Sequence, residues 1–241
     1  MRLILIISLF LAGCVAKEKS IATQNIVDEG QGSDEQSSKT RGPEGETVLM
    51  TTRLGEVEIL VYDETPLHQA NFLKLVDEEF YNDLLFHRVI NHFMIQGGDP
   101  KSLDAEPGAR LGGGGPGYTV PAEFNPKFVH KKGALAAART NNPEKASSGS
   151  QFYIVHGKTL NDQDLNSTEA RISQKNPGFT YSDDQRVEYI ENGGVPFLDM
   201  DYTVFGEVIS GFEVIDAIAK EATAPGDRPI QDVKMSIKRV N

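Results

Sequence analysis

FHRVINHFMIQGGD, residues 86–99, combines side chains that a plain core strand does not need. Arg88 stands among apolar residues, and a Phe-Met pair, Gln96 and a Gly-Gly turn follow it in the same stretch. A half-buried strand only has to alternate apolar with polar side chains. A cation, an amide and two large apolar groups placed this close together indicate strands that carry a binding or catalytic site.

Alternating stretches on both sides of residues 86–99 predict a mainly β fold. TVLMTTRLGEVEILVYD, from Thr47 to Asp63, has the pattern of two consecutive strands. Later strand-like stretches are GSQFYIVHG at 149–157, YTVFGEVI at 202–209 and VKMSIKRV at 233–240. Helical spacing predicts one helix after Thr65-Pro66, with Thr65 as N-cap, and another after Ser210. Several antiparallel strands with two helices are typical of a β-barrel with helices at its ends.

A polar segment at about 158–196 separates two strand-like stretches and is predicted to be a long insertion on the barrel surface. A loop of this length is usually functional or flexible. In it, Asp162, Asp164 and Asn166 resemble the first half of a calcium-binding loop, but Ser167 and Ser173 replace the glycine and glutamate that follow in such loops. This excludes an EF-hand and leaves a weak calcium site in the insertion as an alternative.

The glycine-rich stretch GGGGPG at 112–117 has the spacing of a dinucleotide-binding motif. That motif needs a strand before it and a helix after it, whereas the extended sequence YTVPAEF follows here. We therefore expect no cofactor. The glycines are expected to let the backbone pass close beneath a bound peptide, or to form a flexible turn. The five histidines show no zinc-ligand spacing, so we expect no metal.

The sequence shows no sign of a catalytic nucleophile and no sign of nucleic-acid binding. There is no Gly-x-Ser-x-Gly elbow and no evident Ser-His-Asp or Cys-His arrangement. This favours a reaction without a covalent intermediate, or no reaction at all. The formal net charge of −11 argues against a nucleic-acid partner, because phosphate binding needs a basic face.

The N-terminal sequence MRLILIISLFLAGC predicts a secretory signal at residues 1–13, with one arginine, a short apolar run and small residues before Cys14. Its last four residues resemble the lipobox of bacterial lipoproteins, which implies cleavage before Cys14 and lipidation of its thiol. A plain secretory signal is the alternative. Residues 14–46 are polar, so we expect a disordered tether, followed by a folded domain at 47–241. Lipidated Cys14 would hold the protein to a membrane of the cell envelope.

Four blocks of the folded part resemble cyclophilin-type peptidyl-prolyl cis-trans isomerases and occur in that family's order. They are FHRVINHFMIQGGD at 86–99, GALAAAR at 133–139, GSQFYI at 149–154 and FLDMDYTVFGEV at 197–208. GGGGPGYTVPAEF at 112–124 is similar to the bacterial branch of the family. The resemblance extends over residues 48–241 apart from the insertion. It implies a closed eight-stranded antiparallel β-barrel capped by two α-helices.

The resemblance assigns catalysis to Arg88, Gln96 and Phe93. During isomerisation the X-Pro amide loses its planarity, and the prolyl nitrogen gains a lone pair that a fixed N–H can bind. Arg88 would be that donor, and Gln96 would bind the substrate backbone. The apolar pocket for the proline ring would be formed by Phe93, Met94, Tyr153 and Leu198.

The resemblance also implies residues that support the site. Gln151 would support the arginine, and Ala138 and Arg139 lie on the loop that pairs with the substrate backbone. Tyr153 stands where the family usually carries phenylalanine. Phe197 and Tyr202 stand where its eukaryotic members carry tryptophan and histidine. The Tyr153 hydroxyl is expected to find water or a partner at the pocket rim. Phe197 implies weak cyclosporin affinity, and the contact of Tyr202 with a substrate carbonyl is left open.

Two functions are consistent with the sequence. The first is an envelope-anchored isomerase that accelerates X-Pro isomerisation while exported proteins fold. Its partners would be proline-containing polypeptides and unfolded exported proteins, and we expect it to act as a monomer. The second is a non-catalytic scaffold that binds proline-containing peptides and uses the 158–196 insertion for docking.

Overall fold

The computed structural model describes residues 42–240, which form ten strands, four α-helices and two short 3₁₀ turns. The strands are β1 (Gly45–Thr52), β2 (Gly55–Tyr62), β3 (Arg88–Ile90), β4 (Met94–Gly97), β5 (Thr119–Val120), β6 (Ala134–Ala137), β7 (Ser147–Ser148), β8 (Phe152–Val155), β9 (Val204–Ser210) and β10 (Met235–Arg239). The helices are α1 (Pro66–Asp77), α2 (Asp162–Lys175), α3 (Asp183–Glu191) and α4 (Phe212–Ala219). The 3₁₀ turns are Pro100–Ser102 and Pro196–Leu198.

Eight of the strands form one curled antiparallel sheet in the order β10-β1-β2-β9-β6-β8-β4-β3. The predicted hairpin of β1 and β2 is confirmed, with Val48 opposite Ile59 and Met50 opposite Val57. These four side chains are fully buried, because alternation places them on the concave face. Helices α1 and α4 pack on the same apolar core, as the two predicted helices should.

The sheet is buried on both faces where the site lies. On β8, Phe152 and Ile154 belong to the main core inside the curl, whereas Tyr153 and Val155 belong to a second apolar cluster on the outer face. A strand with both faces covered has a continuous apolar sequence rather than an alternating one. The outer cluster is the surface on which the candidate site is built.

The expectation of a closed barrel is wrong for the structure described. Strands β3 and β10 are the two ends of the sheet, and within residues 42–240 no ladder joins them. In the segment before β3, an isolated bridge pairs Leu85 with Lys234, and three backbone hydrogen bonds join residues 83–86 to residues 233–235. The N–H of Val89 donates instead to the carbonyl of Asp227, at 2.7 Å, in the loop before β10. Strand β3 therefore lies beside this loop, and the sheet is a half-barrel.

The expectation of two helices is also incomplete, because the insertion contains α2 and α3. Each begins with a capping box, formed by Asn161 with Asp164 and by Ser182 with Gln185. The two helices pack around a small apolar cluster of their own. Its buried members are Val129, Leu165, Ile172, Phe179, Tyr181 and Tyr189. Because the segment contains so few apolar residues, its helical periodicity is weak, and the two helices were not predicted from the sequence.

The calcium alternative does not fit the described insertion. Asp162, Asp164 and Asn166 lie in the first turns of α2, and Asp164 is occupied in the capping box. Residues 42–240 contain no group of three or more histidine, cysteine or acidic side chains placed to hold a metal ion.

The first strand begins close to the start predicted for the folded domain. Strand β1 begins at Gly45, which pairs with Tyr62, two residues before Thr47. The predicted signal peptide, Cys14 and most of the predicted tether lie outside the described residues. None of the helices within residues 42–240 has the length and apolarity that a bilayer crossing requires.

Candidate active site

Three of the predicted site residues form a row across neighbouring strands. Arg88 on β3 is the register partner of Gln96 on β4, and Gln96 is the partner of Tyr153 on β8. Directly paired residues project from the same face of a sheet. The fold therefore brings a cation, an amide and an aromatic ring together on the outer face of the half-barrel.

The guanidinium of Arg88 is half-exposed and has one partner within residues 42–240. Its Nε lies 3.4 Å from Oδ2 of Asp227, and the two side chains are 42% and 44% exposed. In the described chain its two terminal nitrogens make no hydrogen bond, so they are free to donate to a ligand. Asp227 was missed by sequence reasoning, because only the fold brings the loop before β10 to Arg88.

The orientation of Gln96 is set by a short chain of hydrogen bonds. The amide nitrogen of Gln151 donates to the carbonyls of Gly112 and Gly114, at 3.1 and 2.7 Å. Its oxygen therefore faces Gln96, whose amide nitrogen donates to it at 3.0 Å. Gln151 thus holds Gln96, the register partner of Arg88, and makes no direct hydrogen bond to the arginine. The side-chain oxygen of Gln96 is left as an acceptor for a substrate N–H.

The glycine-rich stretch 112–117 is a loop held in place by hydrogen bonds to Asp99. Buried Asp99 accepts hydrogen bonds from the N–H groups of Gly112 and Gly114. A Cβ at Gly114 would come within 2.0 Å of an Asp99 oxygen, so only glycine fits there. The loop leads into the extended strand β5, as predicted, rather than into a helix.

The predicted apolar pocket residues belong to the same outer cluster. Met94, Ala138 and Tyr153 are buried in it, while Phe93, Leu198 and Tyr202 are partly buried against it. Phe197 is 49% exposed and stacks on Phe93 with their ring centroids 5.8 Å apart. The arrangement gives a partly exposed apolar surface on the face of the sheet that carries Arg88.

The Tyr153 hydroxyl has a partner, but it lies inside the protein and not at the expected pocket rim. Tyr153 is only 4% exposed, and its oxygen lies 2.9 Å from Nε2 of His130, which is fully buried. The hydroxyl therefore points away from solvent into the protein. Burial raises the pKa of Tyr153 well above its usual value, so the group stays protonated and able to donate.

The loop residues Ala138 and Arg139 differ in what they can offer a substrate. The N–H of Ala138 donates to Gln151 and its carbonyl accepts from Ser148, so its main chain is already used inside the fold. The Arg139 side chain covers the Tyr202 ring, with the guanidinium carbon 4.5 Å from the ring centroid, and pairs with Asp201. Only the main chain of Arg139 remains for substrate pairing.

A serine, a histidine and a glutamate also meet behind the site, although no such arrangement was evident from sequence. His68 lies 2.9 Å from the Ser147 hydroxyl and 2.6 Å from a Glu123 oxygen. Ser147 is only 1% exposed, so a substrate cannot reach it. Glu123 also accepts from the N–H groups of Leu67 and His68 at the start of α1. The cluster fastens this helix to the loops behind the site.

Comparison with known proteins agrees with this geometry. The family model "Cyclophilin type peptidyl-prolyl cis-trans isomerase/CLD" matches residues 47–240. A Staphylococcus saprophyticus protein assigned as a peptidyl-prolyl cis-trans isomerase is 34% identical over 189 residues, which cover 77% of this chain and 87% of that protein. A Streptococcus pyogenes protein assigned as a bifunctional phosphatase and peptidyl-prolyl cis-trans isomerase is 35% identical over 193 residues. That match covers 78% of this chain but only 37% of the streptococcal protein.

The fold also agrees with solved structures. A crystal structure of a cyclophilin-type isomerase from Cryptosporidium parvum aligns with a TM-score of 0.59 and 21% identity, covering 82% of this chain and 99% of the other. The chain therefore belongs to the cyclophilin-type peptidyl-prolyl cis-trans isomerase family. It is an enzyme that interconverts the cis and trans forms of X-Pro peptide bonds.

Proposed function

We propose that this isomerase acts at the bacterial cell envelope, held to a membrane by a lipid on Cys14, and accelerates X-Pro isomerisation in exported proteins as they fold. The N-terminal sequence supports the anchor, since a short apolar run ends in small residues directly before Cys14. A polar tether at 14–46 would let the domain reach unfolded chains near the membrane. The substrates are proline-containing polypeptides, and the enzyme acts as a monomer.

The observation that carries the mechanism is the free end of the Arg88 guanidinium beside the apolar pocket. A planar X-Pro amide has a rotation barrier of about 18–20 kcal/mol. At the top of the barrier conjugation is lost, and the prolyl nitrogen accepts a hydrogen bond that the planar forms cannot accept. An N–H of Arg88 aimed at that nitrogen stabilises the twisted amide more than either ground state, and this difference is what accelerates the reaction.

The remaining site residues hold the substrate in place. Phe93, Met94 and Leu198 grip the proline ring together with Tyr153 and the exposed ring of Phe197. The free oxygen of Gln96 accepts from a substrate N–H, and the main chain of Arg139 pairs with the substrate backbone. The Tyr202 hydroxyl is the group that can reach a substrate carbonyl.

A protease-coupled isomerisation assay on an X-Pro peptide tests the catalytic assignment. We expect the wild-type domain to accelerate isomerisation and Arg88→Ala to lose most of that acceleration. Arg171→Ala, at an exposed position of α2, is the matched control and should keep full activity. Equal activity in wild type and Arg88→Ala would exclude this role for Arg88, and an inactive wild type would favour the scaffold alternative.

The proposed location is tested separately on the full chain. Expressed in a bacterial host with radiolabelled fatty acid, the wild type should incorporate label and fractionate with membranes. Cys14→Ser should do neither. A labelled Cys14→Ser protein, or an unlabelled wild type released as a free secreted protein, would reject the lipid anchor and support a plain secretory signal. Light scattering of the domain from Gly42, which keeps the whole of β1, should give the mass of a single chain.

A further inference from the structure

A chain of buried hydrogen bonds runs from the insertion to the proline pocket. The Tyr189 and Tyr181 hydroxyls donate to Oδ2 of Asp199, at 2.6 and 2.8 Å. Oδ1 of Asp199 lies 2.7 Å from Nδ1 of His130, and Nε2 of His130 lies 2.9 Å from the Tyr153 hydroxyl. Five side chains thus connect α3 and the segment before it to an aromatic ring of the pocket.

Burial makes every link in this chain costly to break. Tyr189 and His130 are 0% exposed, and Tyr153, Tyr181 and Asp199 are each 4% exposed. A buried polar group that loses its partner cannot turn to water for a replacement. Burial also raises the pKa of Tyr189 and Tyr181, so both hydroxyls remain protonated donors to the carboxylate.

Both oxygens of the Asp199 carboxylate are used as acceptors. Besides the two tyrosines, it accepts from the backbone N–H of His130 at 2.8 Å. In the neutral ring, Nδ1 faces this carboxylate oxygen and carries the hydrogen, which makes Nε2 the acceptor. The Tyr153 hydroxyl therefore donates to Nε2 and is turned away from the pocket.

Asp199 also ends the 3₁₀ turn that carries Phe197 and Leu198. Holding Asp199 in place therefore fixes two walls of the pocket, one through this turn and one through His130 and Tyr153. The insertion supplies two of the four donors that hold it.

We propose that the insertion is a positioning element of the active site: Tyr181 and Tyr189 hold Asp199, Asp199 orients His130, and His130 keeps the Tyr153 hydroxyl out of the proline pocket. His130 is thus a positioning residue that allows a tyrosine to line an apolar pocket. The inference rests on the proposed placement of Tyr153 and Leu198 in that pocket.

The first test deletes hydroxyls remote from the substrate. In the steady-state X-Pro peptide assay, we expect Tyr181→Phe/Tyr189→Phe to raise KM by about tenfold, because Asp199 loses two of its four donors and no longer holds the pocket walls in place. The value of kcat should change little. Tyr118→Phe deletes an exposed hydroxyl that bonds only Asn71 and is the matched control, with no change expected. Thermal melting curves show whether each variant is folded at the assay temperature.

The second test asks whether His130 acts through Tyr153. His130→Leu removes the acceptor and should raise KM, because the stranded hydroxyl must then be hydrated in the pocket. Adding Tyr153→Phe should restore KM to within about threefold of wild type, since no hydroxyl is left to satisfy. A purely structural role for His130 predicts no such rescue.

The inference is overturned if the double tyrosine variant keeps the wild-type KM, or if a folded His130→Leu protein is not rescued by Tyr153→Phe. If His130→Leu does not fold, the KM of Tyr181→Phe/Tyr189→Phe alone decides whether the inference holds. Wild type and Arg88→Ala are measured in the same assay, so that failure of this inference can be distinguished from failure of the proposed mechanism. An active wild type and an impaired Arg88→Ala beside unchanged tyrosine variants would reject the insertion's role only.

Discussion

A guanidinium with one anchored nitrogen and two free ones is suited to reach toward a substrate. At Arg88, the carboxylate of Asp227 holds Nε, and the carbonyl of the same residue accepts from Val89 on β3. Asp227 is therefore fixed to the strand that carries the arginine. This contact limits the positions the guanidinium can take without occupying the donors that would face the prolyl nitrogen.

Replacing Asp227 tests how much this contact contributes to catalysis. Both side chains are nearly half exposed, so the ion pair is screened by solvent. We expect Asp227→Ala to lower kcat/KM by up to about fivefold, which corresponds to the upper range for exposed pairs. In the Arg88→Ala background the same replacement should have no further effect. A loss of equal size in both backgrounds would show that Asp227 acts independently of Arg88.

The sequence predicted which residues gather at the site better than it predicted their contacts. Arg88, Gln96, Met94 and Tyr153 come together because short strands with regular registers place them. The partners of Gln151 and Tyr153 could not be read from the sequence, because glycine carbonyls and a distant histidine supply them. Hydrogen bonds between residues far apart in sequence depend on loop positions that local patterns do not specify.

At the level of secondary structure, helix α1 shows how a distant residue can complete a helix start. Thr65 occupies the N-cap position, as predicted, but makes no capping hydrogen bond; its hydroxyl donates to the carbonyl of Tyr62 instead. Glu123, from the loop after β5, accepts from the N–H groups of Leu67 and His68. A carboxylate at a helix N-terminus is favourable because unpaired N–H groups and the helix dipole face it.

Removing this carboxylate should weaken the attachment of α1. Glu123→Ala leaves the helix N–H groups and the buried ring of His68 without their acceptor, and we expect the free energy of unfolding to fall by about 2–3 kcal/mol. Urea denaturation followed by circular dichroism measures this. Glu144→Ala, at an exposed loop position, is the control and should change stability little. A Glu123→Ala protein as stable as wild type would mean that Glu123 does not contribute as a cap.

Strands and insertion helices differ in how far local sequence predicts them. The alternation of Val48, Met50, Val57 and Ile59 is enough to give β1 and β2. Helices α2 and α3 bury few apolar residues, and capping boxes at Asn161 and Ser182 are the only strong local signals for them. Strands β3 and β10 do not pair because the loop that contains Asp227 lies beside β3. Strand patterns in the sequence do not predict the position of this loop.

For the whole molecule, buried histidines make stability dependent on pH. Burial is the largest cause that lowers the pKa of His68, His87 and His156 from the usual 6.5. Near that pH the unfolded chain takes up protons that the folded chain does not. The free energy of unfolding should therefore fall as the pH is lowered from about 7.5 to 5.5. Urea midpoints measured across this range check the sign, and stability that is constant or increases toward acid would contradict it.

The half-barrel and its polar insertion both contribute to the proposed site. The sheet supplies the row of Arg88, Gln96 and Tyr153, and the insertion reaches the same pocket through the buried carboxylate of Asp199. In the proposed mechanism, Arg88 binds the twisted amide better than the planar one.

Measuring both the catalytic rate and the peptide affinity of one variant distinguishes binding of the twisted amide from binding of the planar amide. For Arg88→Ala, kcat/KM from the isomerisation assay is set beside the Kd of the same X-Pro peptide measured by NMR titration. Removing a donor that acts mainly at the transition state should lower kcat/KM by about a hundredfold or more and change Kd by less than about threefold. A fall in affinity as large as the fall in rate would show that Arg88 only binds substrate, and would contradict the account.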